Sequence, residues 1–356
     1  MKTVAIHKVL SILCFAILLS GCGSEVASSY KVKPLALGKT NQLVVIADQE
    51  IWDGPVGDSV RFYYSTAYPI LPQPEPIFDL QHFTIKDLNK EPLRKELRTY
   101  MVLGNLNADD SPTLKMLIQD LGKEKSMDSK QSIVVGKDKW ADGQKFFYLF
   151  GQGEEQLTNN LINAFPTISK KINEFDLVQV DANAYLGQEN RIIQNAIKER
   201  FNFDIKIPTN YTIAIDTTDL MWIRQDDRVS VNNILIQRIP YTDKSQLSKA
   251  GIKSIRNEFG KMFVSTSAKE NTYMRINDID LPMFTKPVQL DKKYALEARG
   301  IWEMVGDFMG GSFISYLVLD EVKNELIYID GFIHAPGKKK RDYIQRLEHI
   351  IQSTTF

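Results

Sequence analysis

Twice along this 356-residue chain, apolar segments joined by tight turns run directly into an amphipathic helix. The first instance pairs Ile133-Val134-Val135 with residues 145–150 through Asp142-Gly143, and a helical pattern follows from Glu154 to about Asn173. Asp-Gly favours such turns because both positions tolerate left-handed backbone. The second instance has three strand-like segments, residues 294–305, 313–319 and 326–333, with turns at 306–311 and 320–324. A helix over about 338–353 then places Tyr343, Ile344, Leu347, Ile350 and Ile351 on one face. A hairpin has an apolar face to bury, and the helix that follows is its nearest cover. The pattern predicts an α+β chain of two tandem mixed α/β domains, with antiparallel sheets flanked by amphipathic helices. Their expected bounds are 41–185 and 186–356, joined near a helix over 188–200. One large domain with coincidental endings is the competing arrangement.

The first domain should open with the buried strand Leu43-Val44-Val45-Ile46-Ala47, whose β-branched bias suits a sheet. Residues 52–66 read as a helix, because Val60, Tyr63 and Tyr64 fall at helical spacing. The four prolines at Pro69, Pro72, Pro74 and Pro76 dictate an extended loop with few backbone donors. Strand, helix, strand and helix are then expected over 78–85, 87–97, 99–103 and 111–121, the last opened by Ser111-Pro112.

Ahead of these domains stands an address. Lys2 and Lys8 precede an apolar run over residues 9–19, which is too short to span a bilayer that takes roughly 20 residues. The run leads into Leu19-Ser20-Gly21-Cys22, the pattern of a bacterial lipoprotein cleavage site. Residues 1–21 are therefore expected to be removed, Cys22 to be lipidated, and residues 22–40 to form a tether. Each buried methylene adds about 0.8 kcal/mol, so two or three chains on Cys22 would anchor the protein almost permanently. Gly23 stands where an inner-membrane retention signal has aspartate, and only Glu25 supplies nearby acidity. These residues favour the outer membrane and its periplasmic side.

Removal of the leader leaves 335 residues carrying 42 basic and 44 acidic side chains. So even a balance gives no reason to expect nucleic acid. Cys14 leaves with the leader and Cys22 carries lipid, so no free thiol remains. Disulfides, thiol catalysis and cysteine-ligated metals are excluded.

Motifs for other chemistry fail on spacing. Gly38-Lys39-Thr40 lacks the upstream glycine of a phosphate loop and has Pro34 within it. Gly151-Gln152-Gly153 has Gln156 in place of the third dinucleotide-site glycine, and Glu154-Glu155 where pyrophosphate would bind. Asp138 to Gly143 resembles a calcium loop, but Trp140 and Leu149 occupy ligand positions. His82, His334 and His349 share no metal-ligand spacing. Gly310-Gly311-Ser312 is followed by Ile314 where a nucleophile elbow needs glycine. No metal and no cofactor are expected.

The basic run Lys338, Lys339, Lys340 and Arg341 opposes the dipole of the helix it opens, by about 0.3–1 kcal/mol per exposed charge. It predicts a patch for anionic lipid headgroups or an acidic partner, against the alternative of a solvated run just outside the helix.

Together with the lipobox, Gly306-Asp307-Phe308-Met309-Gly310-Gly311-Ser312-Phe313 and Gly331-Phe332-Ile333-His334-Ala335-Pro336-Gly337-Lys338 resemble an uncharacterised lipoprotein family of Bacteroidota, domain of unknown function 4837. The resemblance is expected over nearly the whole mature chain. It implies an envelope location and carries over no catalytic residue. The sequence favours a non-enzymatic envelope module that binds or scaffolds a protein or glycan partner. The alternative is a carboxylate-dependent hydrolase acting on envelope glycan.

Overall fold

The computed structural model describes residues 32–122, 133–266 and 270–356. The leader and Cys22 lie outside the described residues. The α+β architecture with two sheets is observed. Residues 34–37, expected within the tether, are instead fastened to the first domain. Leu35 bridges Asp142, Leu37 bridges Leu97, and the Leu37 amide donates to the Glu96 carbonyl at 2.6 Å.

The first domain runs β1 (Gln42–Ile46), α1 (Gln49–Asp53), α2 (Pro55–Tyr64), β2 (Asp79–Phe83), α3 (Ile85–Lys90), β3 (Thr99–Asn105), α4 (Pro112–Leu121), β4 (Ile133–Lys137), β5 (Lys145–Gly151) and α5 (Gly153–Ala184). Its sheet order is β2-β1-β3-β5-β4. The expectation of an antiparallel sheet is corrected here. β2, β1, β3 and β5 are mutually parallel, and only the edge strand β4 runs antiparallel, to β5. The links between parallel strands contain helices, which return the chain to the same end of the sheet. Both faces are consequently covered. Leu43, Val45 and Phe147 meet α2 and α5 on one side, and Val44, Ile46 and Tyr100 meet α3 and α4 on the other.

α5 extends well beyond the expected end near Asn173. Its first half buries Leu157, Leu161, Ile168 and Ile172 against the sheet. Beyond Asn173 it buries only Asp176 and, at its last residue, Ala184, so the apolar rhythm stops while the helix continues. At about 1.5 Å per residue the helix is long enough to leave the first domain and enter the second. Gly151 serves this packing: a Cβ there would lie 2.5 Å from the Leu157 amide nitrogen.

The second domain runs α6 (Arg191–Phe201), β6 (Thr212–Asp216), β7 (Leu220–Asp226), β8 (Val231–Pro240), α7 (Lys249–Phe263), β9 (Tyr273–Asn277), β10 (Phe284–Leu290), β11 (Lys293–Val305), β12 (Gly310–Asp320), β13 (Glu325–His334) and α8 (Arg341–Gln352). All its pairings are antiparallel, in the order β10-β11-β12-β13-β8-β7-β6 with β9 also on β11. Alternation along β12 sends Ile314, Tyr316 and Val318 toward α6 and α8, and Phe313 and Leu317 toward α7. Ile350 and Ile351 of α8 are fully covered, each contributing about 1.5–3 kcal/mol relative to exposure. Gly331 allows the close approach of α8, because a Cβ there would lie 2.9 Å from Ile351 Cδ1.

One polar group interrupts the α7 face. Arg256 of α7 donates from Nε to Asp330 Oδ1 at 3.2 Å, and its guanidinium carbon stands 3.8 Å from the Phe313 ring centre. Ser315 donates to the same oxygen at 2.5 Å. The two domains thus end alike but differ in sheet topology, one mixed and one antiparallel.

Candidate functional site

α8 carries two stripes. Its apolar stripe faces the sheet, while Gln345, Glu348, His349 and Gln352 recur at i, i+3, i+4 and i+7 along its other side. That polar stripe faces Asn173, Asp176, Leu177 and Val180 of α5, which are spaced the same way. Between the two helices, closed by Asn41 before β1 and Tyr68 of the proline-rich loop, is a cavity of about 200 Å³. Domain junctions are favoured places for ligand sites.

Asn41 holds three elements together. Its backbone amide donates to Asp176 Oδ2 at 2.6 Å. Its side-chain amide donates to Gln345 Oε1 at 2.8 Å and to Asp342 Oδ1 at 3.2 Å, and Gln345 Nε2 donates back to Asn41 Oδ1 at 3.2 Å. Asn41 has φ of 62°, a left-handed conformation that asparagine tolerates better than most residues.

The two cavity carboxylates are both engaged. Asp176 is 4% exposed and accepts from Arg98 Nη2 at 3.3 Å as well as from Asn41. Burial raises its pKa, against the lowering effect of the Asn41 amide and Arg98. Glu348 receives both terminal nitrogens of Arg299, one at 3.0 Å, and Arg299 Nε donates to Glu297 at 2.6 Å. Burial works against the Arg299 charge, but Glu348 and Glu297 outweigh it and raise its pKa. The Tyr68 hydroxyl is pushed up to about 12, by burial first and then by Glu348. At the rim, His349 Nε2 meets Asp181 Oδ1 at 2.8 Å. No serine or threonine lines the cavity as a nucleophile. Among the described residues no group of three histidines or carboxylates is placed to hold a metal ion, and no helix is long and apolar enough to cross a membrane.

Residues 190–353 match the family described as Domain of unknown function (DUF4837). The match spans nearly the whole of the second domain. Residues 36–184 match a different family, Domain of unknown function (DUF8532), so the resemblance expected over nearly the whole mature chain holds for its second half. No curated protein matches in sequence. Among solved structures, the Ran-binding protein Mog1p of Saccharomyces cerevisiae is 9% identical, with a TM-score of 0.28 covering 43% of this chain and 88% of that one. A point mutant of protein Mog1 is 12% identical at the same TM-score, covering 43% and 89%. Likeness at that level carries no argument about function.

The basic run opens the last helix of the second domain, and the structure divides it. Lys338 is exposed, and Lys339, with a side chain 73% exposed, reaches Asp79 at 3.6 Å. Lys340 and Arg341 are only 5% and 3% exposed. Arg341 donates to the Pro76 carbonyl at 2.6 Å and to Asp79 Oδ2 at 2.7 Å, both on the first domain. Burial opposes the charge of Arg341, but Asp79 and Asp342 outweigh it and raise its pKa. A single solvent-facing patch of four cations is therefore not formed. Arg341 and, at longer range, Lys339 reach across to the first domain, whereas the Lys340 ammonium turns back to the Lys338 carbonyl at 2.9 Å.

Sequence reasoning missed the cavity because its parts are far apart. Asn41 and Gln345 are separated by 304 positions. The polar i, i+3, i+4, i+7 stripe of α8 was the available signal.

Proposed function

We propose that this chain is a lipid-anchored module of the bacterial cell envelope that binds a partner without catalysing a reaction on it. In this reading lipidated Cys22 holds the chain on the outer membrane, facing the periplasm, and the joined domains present a surface to an envelope protein or glycan. The observation that supports binding over hydrolysis is the engagement of the cavity carboxylates. Glycoside hydrolysis needs two carboxyl groups with oxygens directed at the scissile bond. Asp176 commits its oxygens to Asn41 and Arg98, and Glu348 commits both of its own to Arg299. Freeing either would forfeit charge-assisted bonds of about 1.5–3 kcal/mol each. Beside the cavity, Val178 of α5 stays 75% exposed and Leu177 remains partly open, an apolar margin suited to contact.

The test is site-specific photo-cross-linking in cells from Val178 and from Leu186, which is exposed just beyond the end of α5, with identification of the adduct. One recurring envelope protein or glycan, lost in Val178→Asp, is the expected result. Recovery of no specific partner from either position would overturn the binding reading. Independently, Cys22→Ser should move the chain from the membrane fraction to the soluble fraction, and unchanged sedimentation would overturn the anchor.

A further inference from the structure

On the face of the first sheet away from α5, an open groove of about 460 Å³ lies between α3, the 3-10 turn Pro92–Glu96 and α4. Its floor is apolar, with Leu88 and Met116 beside the indole of Trp140. Trp140 is fixed edge-on against Tyr100 and Phe146, each with ring centres 5.4 Å away. Lysines rise from three walls: Lys95 from the 3-10 turn, Lys115 from α4 and Lys139 from the turn after β4.

The charges around this floor are not balanced. Lys139 stands 5.1 Å and Lys95 5.9 Å from the Trp140 ring centre, so the two ammonium groups are within about 11 Å of each other. Lys139 is neutralised by Asp120. Lys95 meets the neutral carboxamide of Asn89 at 2.8 Å, and among the described residues it has no carboxylate partner. Lys115 reaches only the fully solvated Asp110, at 3.8 Å. Exposed pairs of that kind contribute little. The groove therefore combines an aromatic and aliphatic floor with a surplus of cation at its rim.

We propose that this groove binds a phosphomonoester that carries an apolar chain or ring. The phosphate is received by Lys95 and Lys115, and the apolar body lies on Trp140 and Met116. Neither half suffices alone. An inorganic anion leaves the floor in water, and a neutral apolar molecule leaves the ammonium groups unanswered. This site is separate from the interdomain cavity and does not depend on its reading.

The test uses the mature chain carrying Cys22→Ser and follows intrinsic fluorescence, with Trp140→Phe identifying the responding indole among the four tryptophans. Hexyl phosphate at millimolar concentration should give a saturable response, inorganic phosphate a weaker one and hexanol none. Lys95→Gln should weaken hexyl phosphate binding at least about tenfold, equivalent to 1.4 kcal/mol, whereas Lys170→Gln on α5 should leave it unchanged. Circular dichroism confirms that each variant is folded. Equal responses to hexyl phosphate and hexanol, or an unchanged affinity in folded Lys95→Gln, would overturn the proposal. So would sedimentation with phosphatidic acid vesicles without any response to hexyl phosphate, which would assign the cations to a bilayer rather than to a soluble ester.

Discussion

Glu75 caps a helix that belongs to the other domain: its carboxylate accepts the backbone amides of Lys340 at 2.5 Å and Arg341 at 3.1 Å. α8 has no side-chain cap of its own, and Lys340 stands at its N-cap position. The acid thus satisfies orphan amides and places negative charge where the helix dipole and the adjacent cations require it. Glu75→Ala should lower stability by about 1–3 kcal/mol, since it leaves buried donors unpaired. Glu75→Gln, which keeps an acceptor but removes the charge, should lose less. Urea unfolding of the three proteins checks both the sign and the order.

Within the basic run, the two exposed lysines and the buried Arg341 should behave differently. Lys338→Gln and Lys339→Gln, at exposed positions, should each change stability by under about 0.5 kcal/mol. Arg341→Gln removes bonds to Pro76 and Asp79 and should lose about 1–3 kcal/mol. Equal losses at Lys338 and Arg341 would contradict the division observed at the seam.

Asp176 and Asp320 should give opposite slopes with pH. The Asp176 pKa is raised from the ordinary 3.8, first by burial. The folded state therefore binds its proton more tightly, and the associated stability is present below 3.8 and lost as pH rises through the folded pKa. For Asp320 burial is outweighed by Lys293 and the Lys323 amide, which lower its pKa below 3.8. Its contribution is present above that value and lost as pH falls through the folded pKa. The stability of the parent minus that of Asp176→Asn should fall as pH rises above 3.8, whereas the same difference for Asp320→Asn should fall as pH drops below 3.8. Denaturant titrations at fixed pH steps read both differences.

The buried Arg256–Asp330 pair predicts non-additivity. Arg256→Met alone strands a carboxylate with no exposure and should lose about 3–5 kcal/mol. The double variant Arg256→Met/Asp330→Asn should lose less than the two single losses combined. A double-mutant cycle by urea unfolding measures the coupling.

The legible parts of the sequence were continuous apolar runs and one-faced helices. β12 and β13 are covered on both faces and read as unbroken apolar segments, while α8 buries one stripe at a period of about 3.6 residues. Strand direction was not legible. Leu43 to Ala47 reads as a buried strand in either direction, and only the helix-containing links to β2 and β3 make it parallel. α5 was read short because the next residue it buries after Ile172 is an acid, whose partners Asn41 and Arg98 lie far away in sequence. Most of residues 201–290 gave no reading at all. There the edge strand β6 exposes most of its side chains, and β10 contains Pro287 and an exposed Phe284. An edge strand has a neighbour on one side only, and with its side chains largely open to solvent β6 carries no apolar run to read.

The short pairings at Leu35 and Leu37 also have a mechanical meaning. They lie ahead of Asn41, the residue through which β1 touches both α5 and α8. Tension applied to the chain before Leu35 must peel the contacts with Asp142 and Leu97 before any load reaches Asn41. The joint between the domains is in this way relieved of strain by sacrificial bonds on the first domain, as a cable is clamped before it enters its connector.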